Sequence, residues 1–364
     1  MIWLGLVFIG VAYDWLTTFW LVRWLGEKQT PTGDSVPVTF FRPLKVGVPQ
    51  IGMKLRSFFA ALEPGDQVLI GIYTDDTITL AEAQSAVADF PQMNAQIVPC
   101  RRDLARNPKI NKLLQLAPLA RHEHWIILDS EIVEPAEFLT QFRYEWNSAQ
   151  FPVMSAPYRF QNLTLATAPV LQTLLPGIAV LQRLGKIQNT LGAAVAVTRS
   201  QIEKLGGWIS LAAQLAEDYE LGHRLHAMGV PVQFARAVVT LENDATTFRS
   251  TFRQLHRISA TYRRCQPWGF AGSIATHSIF WAVIAACLHP SGWIALTLAS
   301  LSRVAICQCR AHLLGWPTPF WKTLFLIPIS SLLDIFFWLL AWLPIPIIWG
   351  GRRWNTSRNI TGKP

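Results

Sequence analysis

Between residues 36 and 245, short apolar runs alternate with stretches in which apolar residues recur at helical spacing. The short runs predict buried strands, and the stretches between them predict amphipathic helices. Strands and helices in alternation are typical of an α/β sheet. The predicted strands lie at 36–41, 67–73, 96–98, 125–128, 153–156 and 193–198, and the predicted helices at 53–62, 80–90 and 109–119.

A longer apolar segment begins the chain at residues 2–22 and contains Asp14. About 20 apolar residues are enough to span a bilayer. The segment has no basic region at its start and ends at Arg23-Trp24 without a small-residue cleavage pattern. We therefore predict an uncleaved anchor rather than a signal peptide. Because a carboxylate is costly in hydrocarbon, Asp14 predicts a polar partner or a tilt that brings it near an interface.

Two further apolar segments, 273–301 and 324–349, both contain prolines, which favour kinked or re-entrant segments over straight spans. Basic residues crowd the flanks of the apolar segments at Arg23, Arg263, Arg264, Arg352 and Arg353. The positive-inside rule predicts that these flanks are cytoplasmic. With three spans, the connection carrying Arg303, Arg310 and Lys322 would lie on the other side against the same rule, so a partly re-entrant region stays open.

The composition also indicates contact with a membrane. Hydrophobic residues make up 51% of the 364 residues, charged residues only 15%, the mean hydropathy is +0.26 and there are 16 Trp. Apolar segments and interfacial aromatic residues are in excess over soluble proteins. The net charge of +9 is interpreted as basic flanks that face anionic lipid or an acidic donor. Nucleic acid is the weaker interpretation, because the basic residues are scattered and form no long run. Five cysteines without a C-x-x-C pair argue against a disulfide framework or a structural zinc.

These patterns divide the chain into five predicted regions, with a linker-like stretch at 28–37. The regions are a transmembrane anchor at 1–24, a catalytic domain at 25–250, a basic interfacial helix at 251–272, C-terminal membrane helices at 273–350 and a basic tail at 351–364.

The apolar run 125–128 ends at two carboxylates, Asp129 and Glu131. Ligands in open α/β sheets bind at the carboxyl ends of the strands. Two acids at that position suit a divalent cation, Mg²⁺ or Mn²⁺, that keeps coordination positions free for phosphate oxygens. An isolated acidic turn would give the same pattern, so the prediction of a metal-diphosphate site depends on the other motifs.

Two more acidic motifs lie at the ends of predicted elements. Asp75 and Asp76 end the second strand, where a carboxylate can accept hydrogen bonds from a nucleobase or ribose. Glu217 and Asp218 lead into an amphipathic helix that ends at Gly229. Taken alone, these acids are also explained by an acidic turn and by the helix dipole.

Basic residues complete the set of candidates. Lys109 follows Asn107-Pro108 at the start of a predicted helix, whose positive end could meet a diphosphate. The stretch 249–264 is basic with apolar residues at helical spacing, which is typical of a helix on a membrane surface. Arg257 within it could also reach a phosphate.

In order along the chain come F-R-P-L-K, paired Asp, N-P-K-I-N, L-D-S-E, G-G before A-E-D-Y, and Q-x-x-R before a C-terminal membrane region. Over nearly the whole chain this order resembles the ceramide glucosyltransferase family and its bacterial hopanoid-associated relatives. The resemblance implies a GT-A (Rossmann-like) glycosyltransferase domain with an N-terminal transmembrane helix and a C-terminal membrane-associated helical region.

The same resemblance implies inverting transfer of a hexose from a UDP-sugar, UDP-glucose or UDP-N-acetylglucosamine, to a lipid hydroxyl at the cytoplasmic face. The acceptor would be ceramide-, hopanoid- or glycerolipid-like. By matching motif, Asp218 would be the general base and Asp129 and Glu131 would serve the metal-diphosphate. The implied donor-binding residues are Asp76 or Asp75, Lys109, Asp129, Gln254 and Arg257.

Two residues depart from the family pattern. Ile258 stands where the family's Q-x-x-R segment is normally followed by Trp, which removes an aromatic surface. The D-S-E motif keeps a second carboxylate, as hopanoid-type relatives do, where ceramide enzymes typically have D-S-G. Three alternatives remain: a polyprenyl-phosphate sugar transferase, a polysaccharide synthase, and a catalytically inactive membrane scaffold.

Overall fold

The computed structural model describes residues 2–27, 36–133, 135–149, 151–243, 245–316 and 318–354. Most of the predicted linker (28–35) and most of the predicted basic tail (355–364) lie outside the described residues. The chain forms two compact units. The helical unit consists of Met1–Glu27, Arg159–Lys186 and Asn243–Asn359, and the sheet unit of Lys28–Tyr158, Ile187–Glu242 and Ile360–Pro364.

The sheet unit is built on seven strands in the order β3-β2-β1-β4-β8-β6-β9. They are β1 (Val38–Pro43), β2 (Gln67–Tyr73), β3 (Asn94–Cys100), β4 (His124–Leu128), β6 (Val153–Ser155), β8 (Ala194–Thr198) and β9 (Val232–Phe234). β3, β2, β1 and β4 are parallel, and β8 runs antiparallel to both of its neighbours. Two short strands, β5 (Ile132–Val133) and β10 (Val239–Leu241), pair with each other, and β7 (Tyr158–Phe160) crosses the sequence boundary between the units.

Six α-helices and two 3₁₀ turns, one of them at Ala117–Leu119, accompany this sheet in the described residues. The other elements are α2 (Ile51–Phe59), α3 (Thr77–Ala88), α4 (Pro108–Leu116), α5 (Pro135–Ala149), α7 (Arg199–Lys204), α8 (Glu217–Ala227) and a 3₁₀ turn at Trp208–Leu211. Side chains of β1, β4 and α2 are buried together, with Phe40 packed edge-on to Phe58 at 5.4 Å between ring centroids. Burial of such a continuous apolar run is expected for parallel strands covered by helices.

The helical unit contains the long apolar helices. Its elements are α1 (Ile2–Gly26), a π-helical turn (Val170–Leu174), α6 (Leu175–Leu184), α9 (Phe248–Cys265), α10 (Pro267–Gly272), a 3₁₀ turn (Ser273–Thr276), α11 (Ser278–Leu288), α12 (Gly292–Leu313), α13 (Phe320–Leu340), and the hairpin strands β11 (Ile347–Trp349) and β12 (Arg352–Trp354). By length and composition α1, α12 and α13 could each cross a membrane. The segments 267–276 and 278–288, bent by 49°, make a fourth candidate if they form one broken span.

The fold class predicted from the sequence is confirmed. Every predicted strand and helix of the sheet is present, with each boundary within about three residues. Residues 159–186 lie inside the range predicted for the catalytic domain (25–250) but pack with the helical unit.

The prediction for the connection between C-terminal spans is wrong. Arg303 and Arg310 lie inside α12 and are buried. Both are bonded to Asp14 of α1, which confirms that this carboxylate has polar partners. The apolar segment 273–301 is divided near Pro290, and the second helix continues for about three more turns through both arginines because Asp14 compensates their charge.

Candidate active site

The strand that carries the acidic motif ends where the sequence predicts. β4 is almost wholly buried, and beyond it the backbone N–H of Asp129 donates to the Ala193 carbonyl at 2.9 Å, which continues the pairing with β8 by one residue. The Asp129 carboxylate is therefore fixed at the carboxyl end of a central strand, partly exposed. This is the edge at which ligands bind in open α/β sheets.

Lys109 joins this acid to a second one. Asn107 caps α4, accepting hydrogen bonds from the N–H groups of Lys109 and Ile110. Lys109 then extends so that its Nζ lies 2.7 Å from Asp129 Oδ1 and 3.8 Å from Glu217 Oε1. Nζ also donates to the Gly192 carbonyl at 2.8 Å. One ammonium group thus connects the N-P-K, L-D-S-E and A-E-D-Y motifs.

Glu217 and Asp218 occupy the first turn of α8 and have different surroundings. Glu217 Oε2 accepts a hydrogen bond from Asn107 Nδ2 at 2.8 Å, so both of its oxygens face the 107–109 turn. Asp218 Oδ1 accepts from the backbone N–H of Tyr219 at 2.8 Å. No group among the described residues donates to Asp218 Oδ2, which lies beside Gly192; a Cβ at residue 192 would be 2.8 Å from that oxygen. The absence of a side chain at Gly192 keeps this oxygen accessible.

Burial raises the pKa of Asp129, and the charges of Glu131 and Asp218 raise it further, against the lowering effect of Lys109. Burial and the charge of Asp218 raise the pKa of Glu217. Burial alone would lower the pKa of Lys109, but the carboxylates of Asp129 and Glu217 outweigh it and hold that pKa above its usual value. The cluster therefore has more acidic groups than cations to neutralise them, and would gain from a further positive charge.

Glu131 lies in the loop after β4, which the β1 segment holds in place. Lys45 Nζ bonds Glu131 Oε1 at 2.9 Å, and the Lys45 backbone N–H donates to Ser130 Oγ at 3.2 Å. Behind this loop Arg42 is fully buried, its guanidinium 5.1 Å from the Phe58 ring and without a hydrogen-bond partner among the described residues. Burial lowers its pKa to about 10, against the opposing charges of Asp129 and Glu131.

Asp75 and Asp76 lie at the end of β2, as predicted, and each has a local partner. Asp75 forms a two-pronged pair with Arg102 at 2.9–3.2 Å, and this guanidinium holds the pKa of Asp75 below its usual range. Arg102 in turn covers the ring of Tyr73 at 3.8 Å. Asp76 caps α3, accepting from Thr79 N at 3.2 Å. The predicted role of these acids in holding the nucleotide stays a prediction.

Gln254 and Arg257 belong to α9 of the helical unit. Gln254 Nε2 donates to the Ala166 carbonyl at 3.2 Å, and Ile258, at the position of the family Trp, is partly exposed. The structure thus brings Lys109, Asp129 and Asp218 together in the sheet unit, with Glu131 on the adjoining loop. The predicted diphosphate contacts of Gln254 and Arg257 stay a prediction.

The donor atoms near Asp129 suit a hard divalent cation. Among the described residues, no group of three or more His, Cys, Asp or Glu side chains forms a ready-made metal site. Mg²⁺ and similar ions are commonly held by one or two carboxylates plus substrate phosphates and water, which is the set that Asp129 and Glu131 can begin. Lys109 and Lys45 each occupy one oxygen of these acids, which leaves the second oxygens to serve as ligands.

Asn107, Gly192 and Arg42 belong to this region but are not among the site residues predicted from the sequence. The F-R-P-L-K and N-P-K-I-N motifs contain two of them, but their partners are distant in sequence. Gly192 has no local signal at all, since its importance comes from the position of Asp218.

A sheet of this topology with acids at the carboxyl end of β4 has the GT-A fold, the fold of nucleotide-sugar glycosyltransferases. A mannosyltransferase from Pyrobaculum calidifontis, solved in complex with GDP-Man and Mn²⁺, superposes with a TM-score of 0.51. The match covers 91% of this chain and 99% of that structure at 17% identity, and this likeness concerns the fold.

The chain belongs to Glycosyl transferase family 21, whose profile matches residues 2–361. Ceramide glucosyltransferase 1 of Caenorhabditis elegans is 21% identical over 269 residues, which is 70% of this chain and 56% of that protein. The probable glycosyltransferase YdaM of Bacillus subtilis is 42% identical over 72 residues, 20% of this chain and 17% of that protein. The chain thus spans about half the length of the first of these relatives and under a fifth of the second.

Proposed function

We propose that this glycosyltransferase transfers a hexosyl group, with inversion, from UDP-glucose or UDP-N-acetylglucosamine to a lipid hydroxyl at the cytoplasmic face of a membrane. The observation that carries the proposal is the position of Lys109 Nζ, 2.7 Å from Asp129 and 3.8 Å from Glu217. It joins a candidate diphosphate-binding acid to the helix turn that carries a candidate base. Both functions of a sugar transfer, holding the leaving group and activating the acceptor, would then meet in one cleft.

On the donor side, Asp129 and Glu131 would hold a divalent cation, and Lys109 would contact the diphosphate. Mg²⁺ or Mn²⁺, when bound, supplies the charge that neutralises the departing UDP. The surplus of carboxylates around Lys109 supports this assignment, because an added cation would relieve their mutual repulsion. Asp76 or Asp75, with Gln254 and Arg257, would complete the donor contacts by matching motif.

On the acceptor side, Asp218 would accept the proton of the lipid hydroxyl while the oxygen attacks the anomeric carbon and the bond to UDP breaks. Its Oδ2 has no donor among the described residues and lies over Gly192, where no side chain blocks approach. Glu217 would position the turn rather than take the proton, since its two oxygens face Asn107 and Lys109. A base must lie within hydrogen-bond reach of the proton that it removes.

A lipid acceptor is supported by the apolar helices that accompany the sheet unit in the same chain. The similarity to a ceramide glucosyltransferase supports the same class of acceptor. The second carboxylate of D-S-E favours a hopanoid-type acceptor over ceramide, and a glycerolipid is the third candidate.

The test is to incubate the purified protein with lipid extracts and a panel of UDP-sugars and to identify products by mass spectrometry. We expect a lipid whose mass rises by one hexosyl or N-acetylhexosaminyl group, formed only with Mg²⁺ or Mn²⁺ and absent with Asp218→Asn. Transfer of the sugar to polyprenyl phosphate or to a growing polysaccharide would show that the acceptor is not the proposed lipid hydroxyl. No turnover of any UDP-sugar by folded protein would contradict the proposal.

A further inference from the structure

The helical unit contains a groove that is not part of the predicted donor and acceptor machinery. A cavity of about 380 Å³ lies between the first half of α9 and the segment leading into β11. Its basic lining residues are Arg249, Arg253 and His256, and its main apolar ones are Phe248, Phe252 and Ile348. A volume of this size is typical of sites for small molecules or single headgroups.

The groove residues occupy one face of α9. Residues 248, 249, 252, 253 and 256 recur at i, i+1, i+4, i+5 and i+8, which at about 100° per residue form one continuous stripe. Gln254 falls on another side of the helix, where it bonds the Ala166 carbonyl. Gln254 is therefore not part of the groove, and Arg257 does not line it either, although the same helix carries both.

The basic side chains in the groove have unused hydrogen-bonding capacity. His256 is only 6% exposed, yet its Nε2 has no hydrogen-bond partner among the described residues. In the described part of the chain neither Arg249 nor Arg253 is paired with a carboxylate. Buried polar groups are normally hydrogen-bonded, so an orphaned imidazole in a groove beside two arginines indicates a missing acceptor. Guanidinium groups match the oxygens of a phosphate especially well.

The apolar side of the groove indicates that this acceptor has a hydrocarbon part. Phe248 is 87% exposed at the rim. Phe252 packs edge-on against Phe337 of α13 at 5.1 Å between ring centroids, so the wall of the groove continues onto a helix apolar enough to span a membrane. A free phosphate or a nucleotide would leave these rings in water, whereas an acyl chain would cover them.

We propose that this groove binds one anionic phospholipid of the surrounding membrane. Its phosphate lies against Arg249, Arg253 and His256, and the start of its acyl chains lies along Phe248, Phe252 and Ile348. Charge complementarity selects a phospholipid with net negative charge, because the two arginines have no carboxylate partner among the described residues. The bound lipid would fix α9 at the membrane surface, with its basic face toward the headgroups.

The test uses the full chain in a neutral detergent, with phosphatidylglycerol titrated and bound lipid counted by native mass spectrometry. The double variant Arg249→Gln/Arg253→Gln should weaken binding of the first phosphatidylglycerol by at least about tenfold. The matched control Arg263→Gln/Arg264→Gln removes the same charge from the last turn of the same helix and should change it less than about twofold. Phe248→Ala, a change at an exposed position, should weaken lipid binding without affecting folding.

Phosphatidylcholine and inorganic phosphate serve as the comparison ligands. Both should bind the parent at least about tenfold more weakly than phosphatidylglycerol. Equal loss of binding in the control and groove variants would overturn the proposal in favour of general surface charge. Displacement of phosphatidylglycerol by equimolar phosphate, or equal binding of phosphatidylcholine, would overturn it as well. Thermal unfolding of each variant establishes that any loss is not due to misfolding.

Discussion

Two clusters of charged residues in the described part of the chain, one in each unit, are built in opposite ways. The sheet-unit cluster gathers Asp129, Glu217 and Asp218 around a single lysine, Lys109. The helical-unit cluster gathers two arginines around a single acid, Asp14. The first cluster has carboxylate oxygens without a hydrogen-bond donor among the described residues, and in the second nearly every polar atom has a hydrogen-bond partner.

In the helical-unit cluster, neighbouring groups accept the hydrogen bonds of the arginines. Arg310 donates to Thr18 Oγ1 at 2.9 Å, to the Leu171 carbonyl at 2.7 Å and to Thr17 Oγ1 at 3.0 Å, and it also bonds both the carbonyl and the carboxylate of Asp14. Arg303 bonds the other carboxylate oxygen of Asp14. A buried charge is tolerated when it is paired and fully hydrogen-bonded, so this cluster serves to hold α1, α12 and the π-helical turn together.

The charge balance separates a structural cluster of charges from one that can bind a ligand. Both clusters contain ion pairs, so pairing alone does not distinguish them. The difference is in the balance: around Lys109 the carboxylate pKa values are raised and oxygens lack donors, whereas around Arg310 every nitrogen has an acceptor. Unbalanced charge in a cleft is the better indication of a functional site.

The largest expected effect comes from removing the charge of Asp129. Asp129→Asn should reduce glycosyl transfer by more than about 10³-fold. The variant removes a protein ligand of the cation that neutralises the diphosphate as the bond to the sugar breaks. Initial-rate assays with UDP-sugar and lipid measure the loss. Asp89→Asn removes a carboxylate of a surface ion pair with Arg56 and should retain parental rates. Near-normal turnover by the Asp129 variant would show that the cluster is structural like that of Asp14.

Replacing the proposed base comes next. Asp218→Asn keeps size and polarity and should lower kcat by about 10²–10⁴-fold. UDP affinity should stay within a few-fold of the parent, since the base contacts the acceptor rather than the donor. Kinetic assays measure the loss of kcat, and UDP calorimetry measures donor affinity separately. If donor binding is lost as completely as in the Asp129 variant, Asp218 is a donor-site acid and Glu217 becomes the candidate base.

In the helical unit the expected effect is on stability. Asp14→Leu leaves two arginines buried without a counter-charge and should destabilise the folded protein by about 3–5 kcal/mol. Unfolding in detergent, followed by near-ultraviolet circular dichroism, measures the change. The triple variant Asp14→Leu/Arg303→Met/Arg310→Met removes all the charges and should recover most of the loss. A single variant as stable as the parent would contradict the closed-network interpretation.

A smaller effect is expected at Gly192. Gly192→Ala places a Cβ about 2.8 Å from Asp218 Oδ2 and should displace that carboxylate. We expect kcat to fall by about 10- to 100-fold, as a displacement of about 1 Å can cause, with the melting temperature nearly unchanged. Gly177→Ala is the matched control, because nothing lies within 4 Å of a Cβ at that helical position. Unchanged kcat in Gly192→Ala would exclude the assigned position of the base.

The sequence predicted the sheet well because strand and helix periodicities are local signals. The run 125–128 with Asp129 and the turn at Asn107-Pro108 have the predicted secondary structure, since burial and capping are determined by adjacent residues. Of the predicted site acids, Asp129 and Asp218 lie together around Lys109, whereas Asp75 and Asp76 have local partners of their own. Local signals failed at the C-terminus. There the run of apolar residues predicted that the segment ends before Arg303 and Arg310, but the helix includes both.

Long-range compensation explains that failure. Two arginines are compatible with a buried helix only because Asp14 meets them from the other end of the sequence, and no window of neighbouring residues contains that information. The same holds for Leu171, whose carbonyl completes the network, and for Gly192 beside Asp218. Such partners become visible only in three dimensions.

The central claim is that the acidic cluster of the sheet unit holds a nucleotide diphosphate through a divalent cation, and UDP calorimetry on the parent protein tests it most directly. We predict tight UDP binding with Mg²⁺ or Mn²⁺ and at least about tenfold weaker binding after EDTA, because the diphosphate would then face Asp129 and Glu131 without a shared cation. Equal UDP affinity with and without EDTA would contradict the claim.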